Sequence, residues 1–361
     1  MATQIDIKKP SELSAAERDA WAAFRRADPA LTSPYFTLDF AECCEEARND
    51  TRVIIVRRGG QPRAFLPLQA GKFGYARPLA GPLGDMHGVI AEPGETIDLV
   101  ECLHAAHVPV FDFHSALASQ EVFRALTRQC EGGWMMDVSN GFEAWQDGRR
   151  AINSKIVRNI RTRYRRLAET DGDYRFEMRD GRVEALDRMI AWKRDQYAST
   201  QVFDVFSVAW TRRLLEAVLR RRSDDFYGVC STLNVRGEIA AVHVGMASEQ
   251  SCQFWFPAYN KDYAACSPGL VLLVETARWS EAAGFGTIEL GKGDFAFKKD
   301  LSSYQVGLAS GYYASPSALG LARRAGEALA HTAQGAPIGR FSDWPGKALR
   351  KLDRIAGFHA A

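Results

Sequence analysis

The sequence predicts an α/β protein of two modules of related order, and three observations carry that expectation. Short runs rich in β-branched and aromatic residues alternate with segments of helical period. The order of these segments is similar on either side of a strongly basic stretch, Arg149 to Ala168. One span, Ser251 to Lys298, reads continuously as strand, loop, helix and strand.

Composition limits what such a protein can be. The 361 residues are 46% hydrophobic and 25% charged, which suits a globular chain of one or two domains. The formal net charge of +2 favours neither a nucleic-acid partner nor an acidic one, and no DNA binding is expected. Cysteines number seven, with Cys43 and Cys44 adjacent and the rest scattered, so neither a zinc spacing nor a disulfide framework is visible and no metal is expected. Reduced thiols, an N-terminus without an apolar signal core and no apolar run long enough for a bilayer together predict a cytoplasmic protein.

Taken in order, Glu12 to Arg26 has an amphipathic helical period, with Leu13, Ala16, Ala20, Trp21 and Phe24 facing inward. Ser33-Pro34-Tyr35-Phe36 interrupts it, and Leu38 to Ala47 is a second helix. Arg52 to Arg57 and Ala64 to Gln69 flank Gly59-Gly60 as a hairpin. Phe73 to Gly88, rich in Gly and Pro and holding Asp85 and His87, reads as loop. A helix over Ile97 to His107, strands at Val110 to Phe113 and Trp134 to Val138, and a helix near Gln120 to Cys130 complete the first module.

The basic segment carries Lys155, Arg158, Arg161, Arg163, Arg165 and Arg166 around an apolar thread of Ile152, Ile156, Ile160, Tyr164 and Leu167. It is either a solvated bridging helix or an electropositive wall for a phosphorylated ligand. The second module begins with a strand at Tyr174 to Arg179. A helix over Val183 to Tyr197 follows, bearing Trp192, Lys193 and Arg194, then an apolar loop at Phe203 to Phe206 and a helix over Ala209 to Arg222. Phe226 to Val235 and Glu238 to Ala247 form a hairpin about Arg236-Gly237.

In the central span, Phe254, Trp255 and Phe256 give a strand core. Ser267-Pro268-Gly269 opens a helix: Ser can cap, Pro fits the first position, and amide donors point out of the helix end, where a phosphate can be held. The helix runs from Leu270 to about Ala283 with Gly284 as its C-cap. Thr287 to Leu290 is a strand ending in the polar turn Gly291-Lys292-Gly293-Asp294, and Gly307 to Ala314 is a last strand. Leu319 to Ala330 and Trp344 to Ile355 read as two short helices of an Ala- and Arg-rich tail.

The residues Trp255, Tyr259, Ser267-Pro268-Gly269, Gly284, Gly291, Gly293 and Phe297-Lys298 resemble the last module of GNAT-like N-acyltransferases. The likeness is to the CelD type associated with exopolysaccharide or holdfast synthesis and, more distantly, to the FemAB aminoacyl transferases. It covers most of the chain and is clearest from Arg149 to Ala314. The chain departs from the pattern in having Leu290 before the first Gly of the turn, with Glu289 and Asp294 on either side, and in lacking a Gln/Arg-x-x-Gly-x-Gly/Ala loop. The resemblance implies tandem GNAT-like modules, with mixed sheets flanked by helices and a short helical tail. The expected divisions are 1–148 for the first module, 149–168 for the linking helix, 169–315 for the acyltransferase module and 316–361 for the tail.

It also implies an N-acyltransferase using acetyl-CoA or another acyl-CoA on an amino sugar of a polysaccharide precursor. Two alternatives stay open: an aminoacyl-tRNA-dependent transferase of the FemAB type, and a non-catalytic ligand-binding member of the fold. For the chemistry, His243 is a candidate base or else a hydrogen-bonded strand histidine, and Asp294 a base or amine anchor or else a turn residue. Lys298 would neutralise a phosphate or polarise the carbonyl, unless it is simply an exposed lysine, and Tyr259 would orient the acceptor. Asp85 and His87 are further candidates from the first module. Ser267, Pro268, Gly269 and Leu270 are expected to meet the donor pyrophosphate. In the tail, Arg340-x-x-Asp343 and Arg350-x-x-Asp353 resemble a short cyclic-di-GMP motif. The competing expectations are a helix packed on the domain or one resting peripherally on the inner membrane surface.

Overall fold

The structure, a computed structural model, describes residues 3–171, 174–335 and 358. The chain runs through β1 (Thr3–Lys8), α1 (Ala15–Ala27), α2 (Leu38–Ala47), β2 (Thr51–Arg58), β3 (Gln61–Ala70), β4 (Tyr75–Arg77), β5 (Ile90–Ala91), α3 (Leu99–Ala105) and β6 (Val110–Leu117). It continues through β7 (Thr127–Asp137), α4 (Phe142–Ile152), α5 (Ser154–Asp171), β8 (Tyr174–Glu177), α6 (Val183–Thr200), α7 (Ala209–Arg220), β9 (Tyr227–Val235) and β10 (Glu238–Ala247). Last come β11 (Ser251–Tyr259), α8 (Pro268–Ala283), β12 (Thr287–Gly291), α9 (Ala296–Leu301), β13 (Tyr304–Ala314) and α10 (Ala318–Gly335). The tail segments holding Trp344 to Ile355 and both Arg-x-x-Asp pairs lie outside the described residues.

The chain divides into two compact units, each discontinuous in sequence. One comprises Met1–Leu31, Cys44–Glu131 and Gly307–Ala361; the other comprises Thr32–Cys43 and Gly132–Val306. The division thus follows Glu131 rather than residue 148, and a short N-terminal segment belongs with the second unit.

In the first unit the strand order is β1-β2-β3-β4-β6-β13, with β5 on β3. Every pairing is antiparallel except β4 with β6, and α3 lies in the crossover between those two. Ile54, Leu66, Leu103, Phe111 and Phe123 fill its core. A capping box opens α1, where Ser14 accepts from the Glu17 amide and Glu17 from the Ser14 amide. Two strands here escape the sequence pattern. β1 is polar and barely buried, and β4 is three residues long inside a Gly/Pro-rich stretch. The expected helix near Gln120 to Cys130 is instead a 3-10 turn, Glu121–Leu126, after which β7 starts.

The second unit has the order β7-β12-β11-β10-β9-β8, again antiparallel but for one pair, β11 with β12, joined through α8. Each unit is therefore a mixed sheet flanked by helices, in the tandem arrangement expected. α4, α5 and α8 bury Trp145, Ile160, Leu272 and Leu273 on one face of the second sheet, while α6 and α7 cover β9 to β11 from the other. The basic segment is not one helix. Asn153 takes an extended backbone, closes α4, and accepts the Lys155 amide at 3.0 Å to start α5.

A β-bulge sets the shape of β11. Val244 pairs with Phe256 but Met246 pairs with Gln253, so Phe254 and Trp255 together oppose Gly245. A Cβ on Gly245 would come within 2.2 Å of the Gln253 carbonyl oxygen and 2.4 Å of the His243 ring. Gly245→Ala is expected to destabilise the protein by about 1–3 kcal/mol through this overlap. Chemical denaturation checks it, and a midpoint equal to that of the parent protein would contradict the packing described.

Candidate functional site

The site is built where β11 and β12 part. Their parallel pairing covers only Ser251 with Thr287, Cys252 with Ile288 and Gln253 with Glu289. Beyond Gln253, β11 runs on to Tyr259 while β12 ends at Gly291. A wedge opens between them, edged by the backbone of β11 after the bulge. Glu289 sits at its closed end, 2% exposed, and accepts from the Ser33 hydroxyl at 2.9 Å and from the Ser251 hydroxyl. Both donors satisfy a carboxylate that would otherwise be costly to bury.

Ser33 belongs to the N-terminal segment that packs against the second unit. Pro34–Phe36 makes a 3-10 turn after it, and the rings of Tyr35 and Phe40 lie 5.9 and 6.2 Å from Trp255. The Pro-aromatic break in the sequence thus contributes to the far half of β11.

The helix start at Ser267 forms as expected in position but not in detail. Ser267 has φ +50°, its side chain makes no cap, and its carbonyl accepts the Leu270 and Val271 amides at 3.0 and 3.3 Å. Pro268 has no amide hydrogen, so Gly269 offers the first N–H of α8. Space above it is open: the nearest atom to a built Cβ is Tyr259 Cδ1 at 3.6 Å. Tyr259 is half exposed at the end of β11, and the structure brings it beside Gly269 in the Ser267-Pro268-Gly269-Leu270 helix start. Positive charge surrounds this helix end. Arg163 and Arg166 of α5 both donate to the Ala265 carbonyl, at 3.1 and 3.3 Å, in the turn that leads into it.

Asp294 and Lys298 lie beyond β12. Asp294 is exposed in the turn, and Lys298 follows on α9, half-buried, with Nζ donating to the Lys292 carbonyl at 2.6 Å. Phe295 and Phe297, both exposed, stand 6.1 Å apart beside it, and the Trp134 indole fixes the turn by donating to the Gly293 carbonyl. The turn reads in sequence as flexible and polar, whereas the six-residue α9 that positions Lys298 carries no signal of its own.

His243 is placed differently from its expected role as base. It is fully buried, opposite Ser231 on β9, on the face that carries Val229 and Leu233 beneath α8. Its Nδ1 lies 3.2 Å from the Ser231 hydroxyl and its Nε2 3.2 Å from the Gln253 carbonyl, and Phe254 stacks on the ring at 4.1 Å. Both nitrogens are engaged and no face meets solvent, so the residue is a core histidine that braces the β11 bulge. His87, the candidate from the first unit, is likewise enclosed, between Phe111 and Phe123.

A residue without an assigned role in the sequence stands out instead. Lys193 on α6 is half-buried, its Nζ donating to Gln196 at 3.2 Å, and no carboxylate among the described residues pairs with it. Burial and then the neighbouring Lys298 cation pull its pKa down to about 8. Tyr197, Phe206 and Phe256 form an aromatic run from α6 to β11 on the same side of the sheet.

Among the described residues, no group of three or more His, Cys, Asp or Glu side chains is placed to hold a metal ion, and no helix is long and apolar enough to cross a membrane.

Comparison with known proteins fits this geometry. Residues 154–299 match the family model of the acetyltransferase (GNAT) domain. No curated protein matches the sequence. Among solved structures, FemX is similar with a TM-score of 0.53 at 10% identity, over 86% of this chain and 97% of that one. A tandem GNAT protein from the clavulanic acid biosynthesis pathway gives 0.52 at 11% identity, over 88% and 100%. The C-terminal DUF2156 domain of a putative lysylphosphatidylglycerol synthetase from Agrobacterium fabrum gives 0.50 at 14% identity, over 86% and 96%. At these identities the likeness is one of fold.

The two enclosed histidines make the stability of the protein acid-sensitive. Burial drops both from an ordinary 6.5 to about 3. Each therefore gains a proton on unfolding between those values, and its contribution is complete above pH 6.5 and lost as pH falls. The slope is up to about 1.4 kcal/mol per pH unit for each histidine. Urea unfolding across pH 4 to 7 should show a shallower dependence in His243→Gln than in the parent protein; an unchanged slope would contradict the buried, neutral assignment.

Proposed function

We propose that this chain, an acyltransferase of the GNAT type, moves an acyl group from acyl-CoA, acetyl-CoA in the first instance, to the amine of an amino sugar in an exopolysaccharide precursor. The observation that carries the reading is the opening between β11 and β12 next to the N-terminus of α8. It supplies a backbone edge for the thioester and, at its mouth, an electropositive helix end for the donor phosphates. Arg163 and Arg166 add charge of the right sign beside that end.

In this reading the donor thioester lies along β11 beyond Gln253, where amides of the strand receive the developing oxyanion. The neutral amine attacks the thioester carbon, Asp294 takes its proton, and the tetrahedral intermediate collapses with cleavage of the C–S bond. The CoA thiolate leaves and is protonated from solvent. Tyr259 orients the reactants beside Gly269, and Lys298 supplies positive charge on the acceptor side. The exposed Phe295 and Phe297 offer apolar faces of the kind that pack against the C–H face of a pyranose ring, which supports a sugar acceptor of the CelD type. Membrane or cyclic-di-GMP contact through the tail stays a separate proposal about residues outside those described.

Two outcomes check this. Gly269→Glu places a carboxylate at the helix end in open space, so acyl-CoA affinity should fall about tenfold or more, roughly 1.4 kcal/mol, with the fold retained. Unchanged affinity by calorimetry would remove the phosphate site from α8. Asp294→Asn should lower kcat by about 10²-fold with little change in the melting temperature; retained turnover would assign the base elsewhere.

A further inference from the structure

From Lys155 to Arg166, α5 carries six cationic side chains and no carboxylate. Like charges three or four positions apart oppose helix formation, so this run works against its own helix. The contacts of α5 fix where the charge faces. Ile156, Ile160 and Leu167 enter the core, and the Tyr164 hydroxyl ties the same face to α8 by donating to Glu275 at 2.6 Å. Arg163 and Arg166 both reach the Ala265 carbonyl, so their flank of the helix is the one turned toward the start of α8. One and two helical turns before Arg163, the same flank carries Asn159 and Lys155, with Arg158 three positions on from Lys155. All three are exposed, and neither Lys155 nor Arg158 forms an ion pair among the described residues. Arg163 adds a buried Nε without a hydrogen-bond partner. By contrast, Arg165 pairs with Glu169 at 3.4 Å, and Arg161 lies on the opposite flank.

We propose that this flank of α5 binds the 3′-phosphate of the donor's CoA moiety, with Lys155 and Arg158 donating to the phosphate oxygens. CoA carries its phosphates in two places: a diphosphate between pantetheine and ribose, and a monoester on the ribose 3′ position. The start of α8 has room for the first. The second is a separate, mostly dianionic group at neutral pH, and a helix end already holding the diphosphate leaves it to be met by side chains. The flank of α5 begins at that end, where Arg163 touches the turn leading into α8, and continues away from it through Asn159 to Lys155 and Arg158. An arginine and a lysine three positions apart on one helix face can grip one phosphate, the guanidinium by paired hydrogen bonds and the ammonium as a point charge. The bound phosphate would also offset the repulsion within the run. The inference deepens the reading under Proposed function and rests on it for the identity of the donor.

The test is calorimetry on the full-length protein with CoA and with 3′-dephospho-CoA, which lacks only that monoester. CoA should bind about tenfold or more tightly than the dephospho form. Replacing both cations, Lys155→Ala with Arg158→Ala, should bring the two affinities within about twofold of each other by weakening CoA alone. Arg161→Ala, on the far flank, should leave the preference as it is in the parent protein. Melting temperatures confirm that the variants fold, since all three side chains are exposed. Equal affinities for the two ligands in the parent protein overturn the proposal and leave the donor site at α8 in place. A preference that survives the double variant also overturns it. So does a preference that Arg161→Ala removes to the same extent, because the effect then belongs to the general charge of the helix. Binding of neither ligand removes the acyl-CoA reading itself, and this site with it.

Discussion

The parting of β11 from β12 is the constraint on which the second unit depends. Parallel strands pair in even steps, and nothing in a strand's own chemistry stops the pairing after three residues. Here two local features stop it. At the closed end, the buried Glu289 carboxylate takes hydrogen bonds from Ser251 on β11 and Ser33 on the N-terminal segment, so β12 is tied at its base to both. Just beyond, the bulge at Phe254 and Trp255 changes the register of β11 against β10 and turns the strand away. The carboxylate lies at the last paired position, and the bulge follows directly on β11.

The bulge in turn depends on residues that read, in sequence, as chemistry. Gly245 leaves room for the Gln253 carbonyl and the His243 ring, and His243 completes the arrangement by reaching Gln253 from one nitrogen and Ser231 from the other. A charged imidazole could still donate to both, but it would lie among apolar neighbours, and burial holds the ring neutral. The histidine that looks like a base is therefore a brace. In the proposed reading, the side chains that meet a substrate are Tyr259 with the α8 start, and Asp294, Lys298 and the two phenylalanines after β12.

Much of the fold is visible in the sequence because local chemistry repeats at the period of each element. The β9–β10 hairpin is marked by alternation around Arg236-Gly237, and α8 by Pro268 at its start and Gly284, at φ +85°, at its end. What escapes is what local pattern cannot encode. β1 and β4 are too polar or too short, and α9 has only six residues. Alternation tells that His243 faces one side of β10, but not which side opens to solvent. The role of Glu289 depends on a serine 256 positions away, and Lys193 looks like any charged residue on a helix until burial and its neighbour are known.

Hydrogen exchange on the full-length protein with and without saturating acetyl-CoA tests most directly whether the wedge is the acyl-transfer site. The donor is expected to slow exchange of amides over 254–259 on β11 and over 269–271 at the start of α8, with β9 unchanged. Protection absent from both segments, or confined to the first unit, would contradict it.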